Sequence, residues 1–381
     1  MTARVEPLIR GLGAEHSASA FLDAVREVSA TAFTNAPLID RNGAFPVEEI
    51  RGLARIGALT APVPVDYGGR GLTRGPLLLE TLRIIGHGSL PLGRLYEGHV
   101  NAIGLIQRFG TPSQLARAAR AAGQGLLFGV WNTEAPPGLT LERIESGWQL
   151  RGGKTFASGA GFVARPLVTA IAEGRQLMVV PRLEPADQDR ADLSNWQSHG
   201  MRASATGDFD FTGIAIDDDD IIGAAGDYHQ QPGFSGGAWR FAAVQLGGIE
   251  RLVDELRAHL VKTGRDEDAH QRARLGAAIL AAETSRLWVE RAADMAEHTG
   301  DGDDVVAYVN FACSAVERAG LDVLELAQRS IGLAGFHTAH PIEHVFRDLA
   351  TYLRQPAPDK ALDDAAAHVL RQSAATGALW R

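Results

Sequence analysis

The apolar residues of this chain change period twice, and that double switch limits the folds open to it. From about residue 15 to 123 the spacing is helical, three and four residues apart, with start signals attached. "FPVEEIRGLARIG" places Pro46 in a first helical turn followed by two acids, and "TPSQLARAARAAG" offers Thr111 as N-cap, Pro112 at the first position and Gly123 as the stop. Near residue 125 the pattern becomes short apolar and aromatic runs broken by glycine or charged turns: "GLLFGVW", "GWQLRGGKTFA", "RPLVTAIA", "RQLMVVP" and "TGDFDFTGIAID". From Ala238 onward helical periods return and lengthen into three helices of 24 or more residues, apolar on more than one side, as in a buried bundle that also supplies subunit contacts. The expectation is an α+β multidomain chain: an N-terminal α-helical domain over 1–124, a middle antiparallel β-domain over 125–232, and a C-terminal four-helix-bundle-like domain over 233–381.

Composition removes several functions. A chain of 381 residues exceeds the roughly 250–300 at which single cores stop growing, so it has interior enough to bury a cofactor. A formal charge of −9 argues against a nucleic-acid surface, which needs a basic face to displace counterions from phosphates. Cys313 is the single cysteine, so no intrachain disulfide forms, and its apolar helical context makes it a packing residue in a reducing compartment. The start lacks an apolar segment with a cleavage site, and nowhere do about 18 apolar residues run together. The expectation is a cytoplasmic protein without membrane insertion.

Generic motifs carry little. "GFSGG" (233–237) matches the G-x-S-x-G elbow, but a loop precedes it where a buried strand is required, so Ser235 reads as part of a linker. "DDDD" (217–220) lacks the spaced ligands and glycine of a calcium loop and reads as a solvated turn. His337, His340 and His344 lie close together without H-E-x-x-H or a cysteine partner, so no metal is expected. Neither a P-loop nor a G-x-G-x-x-G after a strand is present.

Four longer stretches carry more. "LARIGALTAPVPVDYGGRGL", "LLFGVWNTE", "GGKTFASGAGFVA" and "IGLAGFHTAHPIEHVFRDLA" stand in the order and register of the acyl-CoA dehydrogenase superfamily of flavoproteins, which the chain resembles. The resemblance implies FAD bound between the β-domain and the C-terminal bundle of a homodimer or homotetramer. A flavin is a flat apolar ring with a polar edge, and its site wants an apolar or aromatic wall with hydroxyl and amide donors. Trp131, Thr133, Phe156 and Ser158 offer that combination on two strands. By resemblance, Thr133 bonds the pyrimidine side, Phe156 stands where the family has tryptophan, and Ser158 takes the place of the threonine near the reactive nitrogen. Arg265 matches an arginine that reaches the pyrophosphate, often from a neighbouring subunit, although the phenylalanine-glycine that follows it in the family is absent. Gln328 or Arg329 matches the glutamine of the glycine-rich turn, where Gly332 and Gly335 allow close backbone approach.

The family's reaction is two-electron oxidation of an acyl-CoA thioester, with a carboxylate taking the α-proton and an electron-acceptor protein or O2 re-oxidising the flavin. Members commonly carry that glutamate in a Tyr-Glu-Gly-Thr run after the Arg-Asp pair; here Arg347 and Asp348 lead to Pro356, which has no ionisable group. The alternative position, early in the first helix after the sheet, holds no acid before Glu250, and Arg240 there is structural or directed at a substrate carbonyl. Three readings follow. The base has moved, to Asp359 (otherwise an N-cap) or Glu134; the chain is a monooxygenase of the same superfamily using reduced flavin and O2; or it is a non-catalytic flavin-binding scaffold.

Overall fold

The computed structural model describes residues 12–145, 147–297, 302–354 and 357–380. Five helices come first: α1 (Leu12–Asn42), α2 (Val47–Arg55), α3 (Pro76–Gly88), α4 (Leu90–Phe109) and α5 (Pro112–Gly123). Their ends follow local chemistry. Thr111 Oγ1 accepts from Gln114 N at 3.3 Å while Gln114 Oε1 accepts from Thr111 N at 2.8 Å, a reciprocal cap. The left-handed residue after α5 is Gly125, two positions beyond the glycine expected to end it.

The sheet contains β1 (Phe128–Trp131), β2 (Glu134–Ile144), β3 (Gly147–Ala157), β4 (Arg165–Ala172), β5 (Arg175–Val179), β6 (Ala191–Asp192), β7 (Gly207–Asp210), β8 (Ala215–Ile216) and β9 (Ile221–Ile222). Its order is β6-β7-β3-β2-β4-β5-β9, with β1 beside β4 and β8 beside β3. The expected antiparallel sheet is in fact mixed, since β1 runs parallel to β4 from Phe128 against Arg165 to Trp131 against Val168. The β2–β3 hairpin lies between them in sequence and supplies the crossover that a parallel pair requires.

Helices then resume as α6 (Gly233–Gly236), α7 (Trp239–Lys262), α8 (Ala269–Glu297), α9 (Gly302–Ile331), α10 (Glu343–Tyr352) and α11 (Pro358–Leu370). The "GFSGG" stretch read as a linker is largely the short α6, and α7, α8 and α9 run 24, 29 and 30 residues. Helices α3 and α7 cross backbone against backbone: a Cβ on Gly247 would lie 2.1 Å from Arg83 O, and one on Gly86 would lie 2.2 Å from Val244 O. Only hydrogen fits at that crossing.

The helical and sheet layers meet over Ile103, Ile106, Phe128, Leu167 and Ile222. His99, fully buried, pins this seam: its Nε2 donates to Leu59 O at 2.7 Å and its Nδ1 accepts from Phe128 N at 3.1 Å. Burial lowers its pKa to about 4, so the neutral ring that can both donate and accept is the one present. The "DDDD" turn is solvated in part only, because Asp220 is buried and takes Arg182 at 3.3 Å and Arg117 at 3.5 Å. No helix among the described residues is long and apolar enough to cross a membrane.

Candidate active site

Strand β3 carries the irregularity from which a site can be built. Its pairing with β7 shifts register between Lys154 and Ala157, and inside that bulge Phe156 takes a left-handed backbone with φ 51°. Bulky residues avoid that region, and bulges of this kind re-aim a side chain. The Phe156 ring is turned out of the sheet, 57% exposed, with Trp196 edge-on at 6.5 Å.

Both flanks hold the bulge in place. Lys154, fully buried, donates to Asn132 O at 3.1 Å, Glu134 Oε1 at 2.5 Å and Thr169 Oγ1 at 3.0 Å. Desolvation lowers its pKa while Glu134 opposes the shift, the balance expected of a buried ammonium with one anionic partner. Beyond the bulge, Ser158 O accepts from Trp131 Nε1 at 2.9 Å, and Thr155 N donates to Thr133 O at 3.0 Å. These bonds place Trp131, Thr133, Phe156 and Ser158 on two adjoining segments.

The Trp131 ring itself is not part of an open wall. It is 1% exposed and packs with Phe209 at 5.4 Å and Phe211 at 6.1 Å, so it forms the core beneath the wall. Strand alternation explains this: Val130 and Trp131 point to opposite faces, and Val130 is the one that lines the cavity described below. Thr133 is exposed, and its hydroxyl makes no hydrogen bond among the described residues. The half-buried Ser158 hydroxyl begins a ladder, 3.2 Å from Thr206 Oγ1, which is 2.7 Å from Ser204 Oγ, which donates to Met201 O at 2.7 Å. An exposed aromatic ring raised beside two hydroxyls suits a planar ring system with a polar edge.

The second predicted group also assembles, apart from the first. Arg265 Nη1 donates to Ser330 O at 2.9 Å, which sets it beside Gln328, Arg329 and Gly332 at the end of α9. Arg329 is exposed and paired with Glu325 at 3.0 Å, and Gly332 has φ 74°, a conformation that favours glycine. Gly335 is buried; a Cβ there would stand 3.1 Å from both Ile331 Cγ2 and Phe346 Cε2. No hydrogen bond, ion pair or ring contact among the described residues joins this group to the β3 wall.

The catalytic candidates fare differently. Pro356 lies outside the described residues. Asp359 is exposed in the first turn of α11, whose N-cap is Ala357, and it does not line the cavity. Glu134 is held at both ends, by Lys154 on Oε1 and by Leu139 N on Oε2 at 2.8 Å. No group of three metal-ligating side chains gathers among the described residues.

A cavity of about 910 Å³, which no sequence motif announced, opens among α4, the segment around α6, and the facing sides of α7, α9 and α11. Val100, Leu105, Val130 and Phe241 form apolar wall, and Cys313 lines it from α9, its thiol pushed up to about 12 by burial. Among the described residues five carboxylates line it, and each already accepts a hydrogen bond. Glu97, 5% exposed, takes Arg94 and Asn101. Glu317 takes Arg354 at 2.8 Å, Asp364 takes Lys360 at 2.8 Å, and Glu297 takes Gly75 N. Asp227 takes Ala224 N and Gln230, each at 2.7 Å. Arg240 also reaches the cavity, donating to Asn101 Oδ1 at 3.4 Å and Thr73 O at 3.3 Å, while its buried Nε has no partner among the described residues.

Comparison with known proteins agrees with this architecture. Residues 15–125 match the sequence profile "Acyl-CoA dehydrogenase, N-terminal domain" and residues 226–353 match "Acyl-CoA dehydrogenase, C-terminal domain", together more than half of the chain. L-evernosamine nitrososynthase of Micromonospora sp. (strain ATCC 39149 / NRRL 15099 / SCC 1413) is 25% identical over 342 residues, 81% of this chain and 80% of that one. Glutaryl-CoA dehydrogenase of Desulfococcus multivorans is 24% identical over 339 residues, 82% of this chain and 85% of that one. The crystal structure of FMN-bound TdsC from Paenibacillus sp. A11-2 superposes with a TM-score of 0.82 over 95% of this chain and all of that one at 18% identity, which shows the shared fold.

Proposed function

The chain belongs to the acyl-CoA dehydrogenase superfamily of flavoproteins, and from that premise we propose that it is a flavin-dependent monooxygenase. It accepts reduced flavin and transfers one atom of dioxygen to a small organic substrate lodged in the cavity.

The observation that carries this reading is the state of the carboxylates. Removing the α-proton of an acyl thioester needs a carboxylate within hydrogen-bond reach and at liberty to accept. The customary place holds Pro356, Glu134 is bound to Lys154, Asp359 is outside the cavity, and the five acids inside it are each engaged. Oxygen transfer to a nucleophilic sulfur, nitrogen or carbon needs no such base. It needs a water-poor chamber beside the ring and donors at the polar edge.

Phe156 and the backbone of β1 would form the wall for the flavin, with Thr133 and Ser158 presenting hydroxyls to its polar edge. When bound, reduced flavin supplies two electrons, so that one oxygen of O2 enters the product and the other leaves as water. Thr206 and Ser204 fix the orientation of the Ser158 hydroxyl, and the apolar side chains at Val100, Leu105 and Val130 keep water from the substrate. Solved relatives bound to FMN support that cofactor, while the resemblance of the C-terminal turn supports FAD, whose pyrophosphate Arg265 would meet across a homodimer or homotetramer interface.

The test is spectroscopic. The flavin-loaded chain is mixed anaerobically with a panel of acyl-CoA thioesters, and then, after reduction, with O2. No bleaching by any thioester, together with substrate-dependent oxygen consumption from the reduced flavin, is expected; anaerobic bleaching overturns the reading. That outcome would establish the second reading, dehydrogenation, which one feature favours. Glu97 is a buried carboxylate of the cavity on the helix packed against β1, where the next residue, Gly98, would bring a Cβ to 3.8 Å from Gly129 Cα. Under that reading Glu97→Gln abolishes the bleaching.

A further inference from the structure

The cavity holds guanidinium groups that its own carboxylates do not pair with. Among the described residues, Glu97, Glu317 and Asp364 pair with cations and Glu297 and Asp227 accept from neutral donors, whereas three arginines that line it, Arg74, Arg108 and Arg240, form no ion pair. Arg74 and Arg108 are exposed, at the rim; Arg240 is the inner one.

Arg240 is also the least satisfied. Its two hydrogen bonds, at 3.3 and 3.4 Å, are longer than the usual 2.9–3.0 Å for N–H···O, and its buried Nε donates to nothing among the described residues. Such a group is costly to leave unmade and calls for an explanation. Glu97 and Glu297 act on it electrostatically but do not pair with it, and desolvation outweighs them, so its pKa falls. The reason is visible in the network: Arg94 and the Asn101 amide both donate to Glu97, which occupies its oxygens and turns the Asn101 carbonyl toward Arg240. The guanidinium is thereby held in position without being neutralised.

We propose that the cavity takes an organic oxyanion, a carboxylate or sulfinate, whose two oxygens meet Arg240 while its apolar body lies along Val100, Leu105 and Val130. A guanidinium is a planar fork matched to such a two-oxygen head group, and the rim arginines Arg74 and Arg108 draw the anion inward. This rests on the reading above that the cavity is where substrate lodges, and it names the class of substrate.

Calorimetric titration of the flavin-free chain with benzoate, benzenesulfinate and neutral benzamide tests it. Benzoate or benzenesulfinate should bind at least about tenfold more tightly than benzamide, and the preferred anion identifies the head group. Arg240→Gln should lose at least about tenfold in anion affinity and none for benzamide, Arg240→Lys should lose less, and Arg108→Gln should lose about two- to threefold with a steeper share of the salt dependence. Benzamide binding as well as benzoate, or a folded Arg240→Gln chain binding anions as wild type does, overturns the proposal. If Arg240→Gln does not fold, the benzoate–benzamide contrast and Arg108→Gln decide it. Because no flavin or oxygen enters the titration, anion binding in a chain that fails to oxygenate would retire the proposed function alone.

Discussion

Replacing Phe156 by glycine should separate function from stability. The left-handed backbone at φ 51° costs a non-glycine residue about 1–2 kcal/mol, which glycine recovers. Against this, the ring is 57% exposed, so only its remaining burial is lost, about 1 kcal/mol of the roughly 1.5–3 kcal/mol for a fully buried phenylalanine. The edge contact with Trp196 contributes on the order of 0.5 kcal/mol more. The terms offset, and the flavin-free variant should melt within about 2 °C of wild type. Flavin affinity should fall at least about tenfold, the equivalent of 1.4 kcal/mol, because the wall is gone. Differential scanning calorimetry of the flavin-free chain and titration of flavin fluorescence measure the two quantities independently. A variant that melts far below wild type while binding flavin unchanged would show that Phe156 is ordinary packing and would refute the argument.

Three further outcomes follow from other parts of the fold. Gly247→Ala places a Cβ 2.1 Å from Arg83 O and should force α3 and α7 apart, costing about 1–3 kcal/mol; a denaturation midpoint equal to wild type contradicts the close crossing. His99 has a folded pKa depressed from 6.5 to about 4, so the stability it contributes is fully present above pH 6.5 and is lost as pH falls toward 4, on the order of 3 kcal/mol. The difference in stability between wild type and His99→Gln should therefore shrink across that window, and a constant difference argues against the neutral bridge. Arg265→Gln should weaken FAD while leaving FMN untouched if the arginine serves the pyrophosphate, and equal effects on both remove that role.

Much of the fold was legible because its signals are local. Thr111 caps α5 as its position before Pro112 implies, and the lengths of α7, α8 and α9 follow from unbroken apolar periods. The parallel pairing of β1 with β4 was not legible, since nothing in either strand records a partner across a hairpin, as Phe128 finds in Arg165. At the site, aromatic character singled out Trp131; alternation along β1 sets Val130 and Trp131 on opposite faces, and the structure gives the cavity to Val130 and the core to Trp131. The left-handed turn at Phe156 had no glycine or asparagine to mark it, and arises from the register shift with β7. The carboxylates and arginines of the cavity come from residues as distant as Glu97, Arg240, Glu317 and Asp364, so no motif could collect them; only Arg240 was singled out, by resemblance. Glu97 escaped because an acid inside an amphipathic helix reads as solvated until its burial is known.

The central claim is that the flavin gives its two electrons to oxygen and does not take two from an acyl thioester. Mass spectrometry of products formed by the chain with reduced FMN, a thioether acid such as 4-(methylthio)benzoate, butyryl-CoA and 18O2 tests it most directly. The account predicts a sulfoxide carrying one 18O atom and unaltered butyryl-CoA. Unlabelled product, with butyryl-CoA converted to its α,β-unsaturated form, would contradict it.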